Sequence, residues 1–217
     1  MSLLLAAVCA QAQITPQQWR DSVSTLIGAI NKDPKNVNLR LLKAEGNINL
    51  RQWDYAVQEY GYVLRLDPQN LAALYFRAYC HTQQHHYDLA KVDYETFLTI
   101  QPEHLEAHLG LAHTLQKLGR KTDTFDELNR IVLLFPDSAH AYAARAAYEA
   151  ERQQYDAAVY DWDEALRRQP ENVEYGVSKV DALIRLGRRE EARELLDAIV
   201  RRGTPRGALK EWYDQLK

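Results

Sequence analysis

Five prolines, Pro34, Pro68, Pro102, Pro136 and Pro170, follow one another at a constant interval of 34 residues, and Pro205 stands one residue beyond the next place in the series. An interval held that long requires a tandem array in which every unit reverses the chain at the same point. Proline suits that point, because it cannot continue a helix and disfavours helical geometry in the residue before it. Asn36, Asn70, Ser138 and Asn172 stand two residues after their prolines. A side-chain oxygen there can accept from the first free amides of the next helix, contributing about 1 kcal/mol each. His104 occupies the same place after Pro102 and is the weaker cap.

Other columns keep the step. Ala44, Ala78, Ala112 and Ala146 form one, and Ala56, Ala90, Ala158 and Ala192 another. Leu26, Tyr60, Tyr94, Leu128, Trp162 and Leu196 form a large or aromatic column, and Trp19, Trp53, Tyr87 and Tyr155 an aromatic one. Small side chains mark where two helices cross closely, and larger residues there would overpack the contact. The rings supply the bulk on which neighbouring helices close.

Together these columns resemble the tetratricopeptide repeat, a helix–turn–helix unit of 34 residues, from Thr15 to about Arg206. The resemblance implies an all-α, right-handed α-solenoid of antiparallel helix pairs, a TPR-like superhelix. Residues 13–36 are then a leading helix, Pro16 to Lys32, and residues 37–70, 71–104, 105–138, 139–172 and 173–206 are five full units. Residues 207–217 form a capping helix: Leu209, Trp212, Tyr213 and Leu216 follow the i, i+3, i+4, i+7 pattern while Lys210, Glu211, Asp214 and Gln215 face outward, as a solenoid end requires. Within the third unit Lys121 replaces the aromatic and Thr124 the alanine, so poorer packing and easier local opening are expected around residues 118–128.

Residues 1–12 read as a signal peptide: an apolar run followed by Ala10-Gln11-Ala12, a small-x-small cleavage pattern leaving Gln13 as the mature start. No Lys or Arg precedes the run, which is also too short for the roughly 20 residues of a spanning helix. Two alternatives stay open. Cys9 would carry lipid in a lipoprotein, although Val8 stands where such a signal wants a small residue, or residues 3–13 are an ordinary packed helix. The first reading implies a periplasmic or otherwise exported protein, the last a cytoplasmic one.

A cation on the first helix and an acid sixteen residues later recur as Lys43 with Glu59, Arg77 with Asp93 and Arg145 with Asp161. Ion pairs inside a unit are expected, the alternative being six solvated surface charges. A net charge of −3 and the lack of a basic block exclude nucleic acid as the partner. Two cysteines, Cys9 and Cys80, cannot supply a disulfide framework or a thiolate zinc site, and Cys80 falls in an apolar stretch suited to a small buried hydrophobe. His104 and His108 have i, i+4 spacing, but the string HLEAH is not HExxH, and His85 and His86 lie a helix length away, roughly 20 Å. No Gly-rich phosphate loop, nucleophile elbow or triad order is present; Gly119 and Gly187 fall in turns that need a left-handed residue. No catalytic, metal or cofactor-binding set is assigned.

In tetratricopeptide solenoids the first helix of each unit lines the concave wall. By that resemblance the wall comprises Leu41, Glu45 and Ile48, then Tyr75, Phe76 and Tyr79, then Leu109 and His113, then Ala143, Ala144 and Ala147, and finally Val177, Asp181 and Ile184. Some of these residues could instead pack against neighbouring helices. The bulky row at 75–79 against the alanines at 143–147 suggests a pocket for an aromatic or aliphatic anchor, edged by His113, whose protonation would weaken an apolar ligand. Glu45 and Asp181 stand where a clamp for a terminal carboxylate wants cations or amides, so an acidic C-terminus is a poor ligand. The expectation is a non-enzymatic adaptor or scaffold binding a protein or peptide segment in its groove. A structural spacer using its convex face is the alternative, and a metal-dependent enzyme a distant one.

Overall fold

The computed structural model describes residues 14–217; the apolar N-terminal run and Cys9 lie outside them. Two compact units follow one another, the first ending at Ile100 and the second beginning at Gln101. In the first, helices α1 (Pro16–Lys32), α2 (Val37–Asn49), α3 (Trp53–Leu66), α4 (Leu71–Gln83) and α5 (Tyr87–Ile100) each pack on the next, and α2 also touches α4. In the second, α6 (Leu105–Lys117), α7 (Lys121–Leu134), α8 (Ala139–Glu151), α9 (Tyr155–Arg168), α10 (Val173–Arg185) and α11 (Arg189–Arg201) do the same. A 3-10 turn, Arg206–Leu209, leads to α12 (Lys210–Gln215), which packs on α10. No strand occurs among the described residues.

The first helix of each pair is fixed at its start by a side-chain cap, whereas α3, α7, α9 and α11 have none. The side chains of Asn36, Asn70, Ser138 and Asn172 accept from the backbone amides of Leu39, Ala73, Ala141 and Tyr175, and His104 Nδ1 accepts from Ala107 in the same way. Thr15 and Gln18 close a reciprocal capping box at α1. The turn inside each helix pair is made by a residue at positive φ: Arg51 (56°), His85 (60°), Gly119 (71°), Gln153 (62°) and Gly187 (74°). Glycine takes that conformation freely, whereas Arg51, His85 and Gln153 each bear about 1 kcal/mol of Cβ conflict there.

Packing follows the columns. The alanines at 44, 78, 112 and 146 and at 56, 90, 158 and 192 are all buried, as are Tyr60, Tyr94, Leu128, Trp162 and Leu196. Glycine also lets α1 close on α2: a Cβ at Gly46 would stand 2.6 Å from Val23. Cys80 is buried in the first unit's core, and burial pushes its thiol up to about 12, so it behaves as a hydrophobe.

At Lys121 the missing ring is answered only in part from across the interface. The column of Gly46, Cys80, Thr114 and Ala182 is small, but its member on α8 is Tyr148. Tyr148 is buried among Ala112, Leu128, Ile131 and Ala141, lies 6.5 Å from the Phe125 ring, and donates its hydroxyl to the Lys121 carbonyl at 3.1 Å. A cavity of about 410 Å³ remains beside the two residues, lined also by Gln116, Gly119 and Glu151, as the looser packing expected there implies. Thr124 fills its alanine site with its hydroxyl returned to the Arg120 carbonyl at 2.8 Å.

Each unit has its own layer of buried charges. Arg77 forms a bidentate pair with Asp93 at 2.6 and 2.7 Å, and Arg145 another with Asp161 at 2.6 and 2.8 Å while also donating to Asn129. Lys43 reaches Glu59 at 2.7 Å, joined by Arg40 at the same distance. Residues sixteen apart are therefore paired as expected, and Asp93, 2% exposed, and Asp161, 1% exposed, show that these are not surface contacts.

Arg40 and His108 hold equivalent places and do the same work. Arg40 also donates to the Pro34 carbonyl at 2.9 Å. His108 Nδ1 lies 2.5 Å from Glu127 and its Nε2 2.8 Å from the Pro102 carbonyl. Both ring nitrogens face acceptors, which the doubly protonated ring satisfies. Burial opposes that charge, but the Glu127 carboxylate and the Pro102 carbonyl outweigh it and hold the ring above the ordinary histidine range.

Glu149 is the layer's exception, a buried acid beside Asp161. Burial first, then the Asp161 charge and a hydrogen bond to it, push its carboxyl up to about 7 against the opposing pull of Arg145. Since the folded value lies above the usual 4.5, Glu149 takes up a proton on folding. Its contribution to stability is full below about pH 4.5 and is lost as pH rises through about 7. Glu149→Gln is therefore expected to melt about 3–6 °C above the native protein at pH 8, with the gap closing by pH 5. Equal gaps at both pH values in thermal unfolding would show that Glu149 is ionised throughout.

Candidate binding groove

An open, largely apolar groove of the first unit lies between α2 and α4. Residues Leu41, Glu45, Ile48 and Asn49 share one face of α2 through their i, i+4, i+7, i+8 spacing, and Leu42 flanks them. Ala72 and Phe76 face them from α4, and Tyr60 of α3 closes the floor of a groove of about 390 Å³. Leu42 is 50% and Phe76 42% exposed, so both apolar side chains stand in water instead of in the core. Phe76 is held by its neighbours: it stacks on Tyr60 with centroids 6.2 Å apart and meets Tyr75 edge-on at 5.2 Å. Burial, with Cys80 and Glu45 nearby, raises the Tyr60 hydroxyl well above its usual range and keeps it neutral.

The fourteen wall residues divide by exposure. Glu45, Phe76, His113 and Ala147 are exposed. Leu41, Ile48 and Tyr79 are half-buried against the first unit's core, where Tyr79 meets Trp53 edge-on at 6.0 Å. Tyr75 directs its ring toward the buried Tyr94 and Phe97, 6.0 and 5.8 Å away. In the second unit Leu109 and Ala144 pack on one core cluster, and Val177 and Ile184 on another, while Asp181 lies 3.7 Å from Arg185. Ala143 departs from the expected wall. It is buried with Ala146, Trp162 and Tyr175, because an alanine-rich stretch of α8 lets those rings close over it. The bulky row belongs to the first unit and the alanine row to the second.

Sequence reasoning missed Leu42, Asn49, Ala72 and Tyr60 as lining residues. For Leu42 a signal existed: an apolar residue beside Leu41 that belongs to none of the packing columns.

The histidines singled out by spacing have structural partners, His104 as a helix cap and His108 in the charged layer. Among the described residues no three His, Cys, Asp or Glu side chains gather as a metal-binding group. No helix among them is long and apolar enough to cross a membrane.

The architecture of repeated helix pairs and capped turns defines a class. A family model described as tetratricopeptide repeat matches residues 81–148 and 149–210, together more than half of the chain, and the chain belongs to that family. The curated proteins give no match. Solved structures do. One is a tetratricopeptide repeat protein from Parabacteroides merdae ATCC 43184, at 20% identity over 87% of this chain and 75% of that one, with a TM-score of 0.73. PilW, described as a widely conserved type IV pilus biogenesis factor, is similar at 18% identity over 84% and 85% of the two chains, with a TM-score of 0.71. YrrB, described as a TPR protein with an unusual peptide-binding site, is similar at 20% identity over 82% and 92%, with a TM-score of 0.62. At such identities the likeness establishes the fold, an all-α solenoid of antiparallel helix pairs.

Proposed function

We propose that the chain is a non-enzymatic adaptor that holds a protein or peptide segment against its first helices, with the α2–α4 groove as the principal contact. The observation that carries this reading is the exposure of Leu42 and Phe76 in one groove. About half of each side chain is left in water, and large apolar groups exposed in a concave site favour association. The role of the structurally similar PilW in type IV pilus biogenesis and the signal-like N-terminus extend the proposal to an exported protein working in a cell envelope.

Capture from the native envelope fraction tests both parts. The recovered protein is expected to lack residues 1–12 by intact mass. A Leu42→Asn, Phe76→Ala variant should keep its fold by thermal unfolding yet capture its partner at least tenfold less well, about 1.4 kcal/mol. Undiminished capture would move the interaction to the second helices, where Tyr55, Leu89 and Val92 are exposed, and would favour the spacer reading. A full-length species would refute export.

A further inference from the structure

Several acids of this fold are committed to cations. Glu59, Asp93, Glu127 and Asp161 sit in the buried layer, and Glu164, Glu191 and Asp214 hold arginines or lysines near them in sequence. Glu45 differs. It is exposed on the groove face of α2, and no ion pair holds it among the described residues, although its own helix carries Arg40 and Lys43. Those two cations are both committed to Glu59. The walls around Glu45 are Leu41, Leu42, Ile48, Ala72 and Phe76, so its carboxylate is the single formal charge lining the groove.

From this charge complementarity, and resting on the groove reading above, we infer that the α2–α4 groove selects a segment carrying a large apolar side chain next to a lysine or arginine. The apolar side chain enters between Leu42 and Phe76 and the cation meets Glu45. A segment with an acid at that place is disfavoured, because its carboxylate would face Glu45 across a surface of low polarity. The neutral Tyr60 hydroxyl at the floor adds no competing charge. Apolar contact supplies most of the affinity and the single carboxylate most of the discrimination, since an ion pair at a surface contributes little by itself.

Three acetylated, amidated decapeptides of alternating glycine and serine serve as probes, with Trp-Lys, Trp-Glu or Ala-Lys at the centre. Titrations of the full chain, followed by amide chemical shifts at low salt, are expected to show saturable shifts on α2 and α4. The Trp-Lys peptide should bind about five- to tenfold more tightly than Trp-Glu, and Ala-Lys more weakly than either. Glu45→Gln should bring Trp-Lys and Trp-Glu within about twofold of each other while leaving tryptophan required, and added salt should do the same to the native protein. Equal binding of Trp-Lys and Trp-Glu, both lost in Phe76→Ala, would overturn the inference and leave the groove reading standing. No saturable shift with any peptide would also overturn it, the envelope capture then deciding the groove reading separately. A dimer by sedimentation that dissociates in Phe76→Ala would assign the groove to a second copy and overturn it as well.

Discussion

Arg77→Leu is expected to destabilise the first unit by about 3–5 kcal/mol, and Asp93→Ala by less, about 2–3 kcal/mol. The asymmetry follows from exposure. The Asp93 side chain is 3% exposed and has no route to water once its partner is gone, whereas Arg77 is 26% exposed and can swing outward. Combining the two changes should recover much of the loss, since two uncharged side chains leave nothing stranded. Denaturant unfolding of all four species measures the coupling. Additive losses would mean that the 2.6 and 2.7 Å contacts contribute no more than two independent charges.

Tyr148→Ala is expected to cost about 3–4 kcal/mol in the second unit, in the range of a large core ring truncated to a methyl group. The contrast lies in its own column. Thr114 and Ala182 occupy equivalent places, and a neighbouring unit tolerates Ala182 because Tyr155 supplies the ring that Lys121 lacks. Truncating Tyr148 leaves neither side of the α7–α8 contact with a ring at this place and removes the hydroxyl's hydrogen bond to the Lys121 carbonyl. Hydrogen exchange should therefore quicken first around residues 118–128. Restoring a ring from the other side, Lys121→Tyr in the same background, should recover part of the loss; no recovery would show that the two positions do not share one space.

The period made equivalent positions legible: the turns, the caps, the small columns and the charge pairs sixteen apart are properties of a position and repeat with it. Features that depend on two columns at once stayed hidden. Arg40 with Glu59 and His108 with Glu127 share a spacing of nineteen, but the cation changes from arginine to histidine between them, so the pair does not repeat in residue type. The Lys121 and Tyr148 exchange is of the same kind. A gap in one column suggested loose packing, and the large residue in another column fills it only in part. For the groove, periodicity identified the stripe on each first helix but not its exposure, which the neighbours decide. Ala143 is covered by Trp162 and Tyr175 because alanine cannot hold them off, and Tyr75 turns inward because Tyr94 and Phe97 offer it ring contacts. Phe76, one residue further round α4, has only Tyr60 and Tyr75 beside it and stays in the open.

Within each unit every helix packs on the one before it and the one after it in sequence. Native contacts therefore close loops of no more than a few tens of residues, and the entropy lost in forming a folding nucleus is small. Helical chains of such low contact order fold in about microseconds to milliseconds. Synthesis, at about 5–20 residues per second, is far slower. Each helix can thus dock as soon as it clears the ribosome, and apolar surface waits uncovered for little more than the time needed to make one additional helix.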